Sequence, residues 1–205
     1  MYSQEREQLA VICKLLYNRN LVTAGDGNIS MRASPEHIVI TPSRKNKGML
    51  KPGDMFVADL DGKLMEGSGK VSSEYQMHQA IYRNRPDINA IVHTRPVYAT
   101  AFVLAGKNIP ENYLIEARLL LGPTALAGYA TPGTAEMVDA IFPYIGSVNA
   151  ILLKNHGALT YGMDLTDACN RMEVLESIAK TIIMSKLLGE PQVISPESMK
   201  KLERQ

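Results

Sequence analysis

The chain has 205 residues, 45% hydrophobic, 21% charged and 6% aromatic, with no Trp and two Cys. That is the size of one domain with a full core, which excludes a disordered tail or a disulfide-stapled mini-protein. Lys and Arg number 22 against 21 Asp and Glu, a net charge of +1 spread along the chain, and this argues against a nucleic-acid partner.

The longest apolar runs, such as Ala90–Val92 and Ala150–Leu153, are far shorter than the roughly 18 residues of a membrane span. The opening MYSQEREQLA places no apolar stretch behind a basic region, so neither a signal peptide nor a membrane partner is expected. Cys13 and Cys169 are far apart and form no C-x-x-C pair. They read as reduced, core-facing thiols of a cytoplasmic protein.

In chain order, Leu9, Ala10, Ile12, Cys13, Leu15 and Leu16 recur at helical spacing and predict an amphipathic helix over Ser3–Asn20. Short strands follow at Asn28–Met31, His37–Thr41 and Met55–Leu60, with a hairpin return at Lys63–Met65 across Asp61-Gly62. Glu74–Arg83 reads as a helix, Asn89–Thr94 as a buried strand, and Pro96–Leu104 as a helix with proline in its first turn. A strand is predicted near Leu114–Leu120, a helix at Gly133–Pro143, and a strand at Ala150–Lys154 with Leu159–Tyr161 beside it. A long helix from Thr166 to Leu188 stops at Gly189-Glu190-Pro191, and Ser195–Gln205 reads as a charged, frayed terminal helix or tail. Strands and helices mix without strict βαβ alternation. The expected fold is therefore a single-domain, layered α/β sandwich over residues 1–205, around a mixed, mostly antiparallel sheet.

Three turns rich in Gly, Ser and Thr flank these elements: Thr23–Ser30, Thr41-Pro42-Ser43 and Gly67–Ser73. Hydroxyls and free N–H groups at such turns and at helix starts can bind phosphate, although each turn alone also reads as ordinary turn chemistry. Two nucleotide motifs fail. Gly69-Lys70 is followed by Val71 where a P-loop needs Ser or Thr, and Gly25/Gly27 lack a third glycine and follow a helix instead of a strand. Neither ATP nor NAD is expected.

Ser72-Ser73-Glu74 opens a helix, with hydroxyls able to cap N–H groups and a carboxylate in the positive first turn. His78 lies one turn later on the same face, as an i,i+4 contact or a supporting partner of Glu74. Of the four histidines, His93 and His156 each end an apolar strand. Taken singly, each suits a hydrogen-bonded structural role. Together with Glu74 they form a plausible ligand set, since imidazole nitrogen and carboxylate oxygen suit zinc.

In this order and over nearly the whole chain, Gly27-Asn28-Ile29-Ser30, Thr41-Pro42-Ser43, Ser72-Ser73-Glu74, Ile91-Val92-His93-Thr94 and Asn155-His156-Gly157 resemble the class II aldolase/adducin family. The resemblance implies a homotetramer of α/β/α subunits, with one zinc ion per subunit near a subunit interface. It implies reversible cleavage of a phosphorylated ketose into dihydroxyacetone phosphate and an aldehyde. Carried over by position, His93, His156 and Glu74 hold the metal, and Glu74 also moves the proton. Tyr113 is the proton donor supplied to a neighbouring subunit. Gly27, Asn28, Thr41, Ser43, Ser72 and Ser73 hold the substrate phosphate. Related epimerases place Asp at the acidic position, so Glu74 leans toward an aldolase.

One position departs from the family pattern. Arg95 stands where the second histidine of a His-x-His pair is expected, and arginine cannot ligate zinc. Positions 93 and 95 of a strand share a face, so Arg95 is expected to aim at the metal. Either Glu74, His93 and His156 keep the ion with lowered affinity, or the guanidinium takes its place and activity weakens or vanishes. The alternatives are a metal-free, non-catalytic sugar-phosphate-binding or assembly module of the same fold, or a related epimerase, dehydratase or decarboxylase.

Overall fold

The central strands are apolar on both faces, and this dictates a sheet covered on two sides. The computed structural model describes residues 1–67 and 71–202. Helix α1 (Ser3–Asn18) leads into the antiparallel strands β1 (Asn28–Arg32), β2 (His37–Ile40), β3 (Phe56–Asp59) and β4 (Leu64–Glu66). Then come α2 (Tyr75–Asn84), β5 (Ala90–Thr94), α3 (Val97–Leu104), β6 (Thr124–Ala127) and α4 (Ala135–Ile145). The chain continues with β7 (Ala150–Leu153), β8 (Gly157–Gly162), α5 (Leu165–Lys186) and the short α6 (Pro196–Leu202).

Among the described residues eight strands form one sheet in the order β4-β3-β2-β1-β5-β8-β7-β6. Only β6 and β7 pair in parallel, so the sheet is mixed and mostly antiparallel, as expected. Alternation along each strand divides the core. Val39, Val57, Val92 and Leu152 face Leu9, Leu16, Val103 and Met172 of α1, α3 and α5, while Ile40, Ile91, Ile151 and Leu153 face Met77, Ile81 and Ile141 of α2 and α4. The result is an α/β/α arrangement. Cys13 and Cys169 are free and buried, and burial pushes the Cys13 thiol up to about 12. Among the described residues no helix is long and apolar enough to cross a membrane.

One expected element is wrong. Leu114–Leu120 is no strand; Ala117–Leu121 forms a single π-helical turn, and the strand comes later, at Thr124–Ala127. Ala117 and Leu121 are buried and four apart, whereas Ile115, Leu119 and Leu120 are about half exposed. The apolar run therefore has a one-sided helical pattern, and Gly122, at φ 75°, turns the chain into β6. Pro96 also shifts slightly, capping α3 instead of standing inside it. The expected tail forms α6, mostly exposed with Met199 and Leu202 half-buried, up to Leu202. Ser68, Gly69 and Lys70 of the third turn lie outside the described residues.

Candidate functional site

Three elements end at the same place. In the β1–β5 register Asn28 stands opposite His93, and β5 pairs antiparallel with β8, whose first residue, Gly157, follows His156 in the β7–β8 turn. Close backbone packing makes this convergence possible. A Cβ on Gly157 would come 2.4 Å from the Thr94 carbonyl oxygen, and one on Gly27 would come 2.4 Å from that of His93. Glu74 immediately precedes α2 and reaches the same sheet end from the other layer.

There the ligand atoms of Glu74, His93 and His156 lie within 4.8 Å of one another. His156 Nε2 is 2.8 Å from Glu74 Oε1, and His93 Nδ1 is 3.2 Å from Oε2. Burial pushes the Glu74 carboxyl up, but the contacts from His156 and His93 outweigh it and hold the group well below the usual carboxylate range. His93 is fully buried and shifts downward, burial outweighing the attraction of Glu74. Among the described residues its Nε2 has no partner, and Nδ1 has only the contact with Glu74. An orphaned imidazole nitrogen in a dry site is costly, and a metal ion is the partner that two imidazoles and a carboxylate suit. The residues present therefore fit a divalent cation.

The expected phosphate residues divide. Gly27 and Asn28 adjoin the cluster, and Asn28 Nδ2 donates to Glu74 Oε2. Thr41 is buried and its hydroxyl accepts from the Ile29 amide at 3.1 Å, which ties β1 to the end of β2. Ser72 Oγ accepts from the Glu74 amide at 3.3 Å, shaping the start of α2. Ser43 and Ser73 are exposed. Tyr113 is elsewhere in the chain, lining a cleft of about 370 Å³ with Ile194, Ser198 and Leu202.

Arg95 reaches the cluster from beyond β5, which ends at Thr94: one guanidinium nitrogen pairs with Asp26 at 3.0 Å and the other lies 3.5 Å from His156 Nε2. The second distance is at the limit of a hydrogen bond, and the Nε2 proton already serves Glu74. Arg95 flanks the cluster and pairs with an acid that sequence reasoning did not single out.

Sequence reasoning paired His78 with Glu74 but missed the buried polar chain through which the two are joined. His78 Nε2 meets Asn28 Oδ1, Ser30 Oγ meets His78 Nδ1 at 2.6 Å, and Tyr82 Oη meets Ser30 Oγ at 2.8 Å. A signal was present: Glu74, His78 and Tyr82 are spaced by four on one helix face, and Asn28 and Ser30 by two on one strand face. Burial holds His78 down at about 3, against an ordinary 6.5. Below pH 6.5 the unfolded chain takes up a proton that folded His78 refuses, so the stability it contributes is complete above pH 6.5 and declines toward pH 3. Metal-free protein is expected to lose urea resistance as pH falls from 6.5, with His78 accounting for about 1 kcal/mol between pH 6.5 and 5.5 and about 1.4 kcal/mol per pH unit below that. His78→Gln removes that slope; an identical pH dependence in both proteins contradicts the assignment.

The family model for the Class II Aldolase and Adducin N-terminal domain matches residues 7–183. An L-fuculose phosphate aldolase of Methanococcus maripaludis is 39% identical over 82% of this chain and 91% of its own length. A 5-deoxy-D-ribulose 1-phosphate aldolase of Bacillus thuringiensis is 34% identical over 100% of this chain and 96% of its own. A solved L-fuculose 1-phosphate aldolase superposes with a TM-score of 0.89 at 32% identity, covering 98% of this chain and 95% of that one.

Proposed function

The chain belongs to the class II aldolase and adducin family, and on that premise we propose that it is a zinc-dependent aldolase. It would cleave a phosphorylated ketose of the L-fuculose 1-phosphate kind to dihydroxyacetone phosphate and an aldehyde. The observation that carries this reading is the buried Glu74, His93 and His156 triad with its unpartnered His93 Nε2. His93, His156 and Glu74 would hold one zinc ion per subunit. When bound, the ion supplies Lewis acidity that polarises a carbonyl and stabilises the charge left by carbon–carbon cleavage.

The protein's own groups supply the rest. Glu74, held ionised by its imidazole contacts, is poised to accept a proton and return it to carbon. Asn28, Ser43, Ser72 and Ser73 bind the substrate phosphate, with Gly27 and Thr41 shaping the loops that present them. Tyr113 lines a cleft to which Glu74, His93 and His156 of its own chain do not contribute, and on this reading it serves the aldehyde oxygen in a neighbouring copy of a homotetramer. We place the enzyme in the cytoplasm, where two free buried thiols stay reduced.

A second reading has one observation in its favour. Arg95 is a fixed cation 3.5 Å from His156, which lowers the affinity for a dication and suits a metal-free sugar-phosphate-binding or assembly module. The zinc-to-subunit ratio after loading and removal of free metal separates the two. A ratio near one supports the aldolase, and a ratio near zero supports the module. Arg95→His removes a cation and adds an imidazole, so zinc affinity is expected to rise about ten-fold or more, and ketose-phosphate cleavage with it. Full zinc occupancy in that variant without cleavage of any ketose 1-phosphate would refute the aldolase reading and direct attention to epimerase, dehydratase or decarboxylase substrates.

A further inference from the structure

The polar chain behind Glu74 has a direction that follows from the donor inventory. An ionised carboxylate only accepts hydrogen bonds, so Asn28 must turn its Nδ2 to Glu74 Oε2, as it does. Its Oδ1 is then left to accept, and the group facing it is His78 Nε2. His78 Nε2 must therefore carry the proton. In a neutral ring that leaves Nδ1 bare, so it accepts from Ser30 Oγ at 2.6 Å, and the Ser30 oxygen accepts from the Tyr82 hydroxyl at 2.8 Å. Every donor points toward Glu74.

Asn28, Ser30, His78 and Tyr82 are all at most 3% exposed, so water cannot substitute for a missing partner. If the Asn28 amide turned over, its oxygen would face Glu74 Oε2 and its nitrogen would face the His78 Nε2 proton, two mismatches at once. The carboxylate sets the sense of the chain, the His78 Nε2 proton admits only one lie of the amide, and the Ser30 and Tyr82 hydroxyls, able to donate or accept, complete it at Nδ1. We propose that His78, held as the Nε2–H tautomer with Nδ1 on Ser30, is a positioning residue that orients Asn28 and through it the Glu74 carboxylate. Its catalytic consequence rests on the aldolase reading above. Its structural content does not.

The test is nitrogen NMR of histidine-labelled wild-type protein, with hydrogen exchange of the Asn28 side-chain amide. The expected result at pH 7 is neutral His78 protonated on Nε2; a ring protonated on Nδ1, or on both nitrogens, overturns the proposal. His78→Gln keeps an N–H for Asn28 Oδ1 and an acceptor for Ser30, whereas His78→Leu keeps neither. Asn28 amide exchange is expected to accelerate about ten-fold or more in His78→Leu, the scale of one charge-assisted hydrogen bond, and to return toward the wild-type rate in His78→Gln. Equal exchange in all three proteins overturns the proposal. If His78→Leu does not fold, the wild-type tautomer, read with no substitution, remains decisive. In an active enzyme His78→Leu lowers kcat with little change in KM. Absence of cleavage by the wild-type protein, with His78 found as Nε2–H, defeats the aldolase reading and leaves the positioning intact.

Discussion

Glu74→Gln is expected to lower ketose-phosphate cleavage about a thousand-fold, within the range of a lost general acid–base group, while the fold stays in place. The substitution keeps the shape of a side chain held at three points, by Asn28, His93 and His156. Its amide oxygen can still accept from Asn28 Nδ2. What is lost is chemical. An amide carries no exchangeable acid proton near neutral pH and brings no negative charge to two imidazoles and a dication. The variant should therefore also bind zinc more weakly. Turnover measured beside circular dichroism and size-exclusion elution checks both halves, ideally also in the Arg95→His background. Wild-type turnover in the variant removes Glu74 from proton transfer.

Gly27→Ala is expected to cost about 2–4 kcal/mol of stability, the sum of a left-handed backbone and a buried clash, and to disable metal binding. Gly27 sits at φ 66°, and an added Cβ would stand 2.4 Å from the His93 carbonyl oxygen and 3.3 Å from the Thr94 Cα. Those atoms belong to the backbone of β5, which cannot swing aside as a flexible side chain can. Relief must come from moving the start of β1, and the next residue is Asn28, which holds Glu74. Gly106 offers the control: it has the same φ of 66° with nothing within 4 Å of its Cβ position. Gly106→Ala should cost only about 1 kcal/mol. Urea unfolding of the two variants measures the difference, and equal losses would show that the contact with His93 contributes nothing.

Much of the architecture was legible along the chain. Leu9, Cys13 and Leu16 carry the period of α1 without help from distant residues, and the Asp61-Gly62 turn announces the β3–β4 hairpin. The runs at Ala90 and Ala150 read as strands because both faces of each are apolar. Leu114–Leu120 failed for the same reason in reverse, since a short apolar run does not state its own period. Only the surroundings decided that Ala117 and Leu121 turn inward as a helical pair.

For the site, the sequence by itself supplied the residue types: two histidines at strand ends, an acid opening a helix, and an arginine in the place of a third histidine. Their ordered motifs tied them to one family, and the family model agrees over residues 7–183. The tertiary structure alone decided how they meet. Residues 28, 74, 93 and 156 come together through strand pairing and through a helix from another layer, contacts over dozens of residues that no local pattern encodes. The same holds for Arg95, which stands beside His156 as strand alternation suggests but whose pairing with Asp26 only the folded chain reveals. The sense of the chain from Tyr82 to Glu74 is likewise tertiary, because a tautomer follows from which acceptor lies opposite which donor, and that is a property of packing.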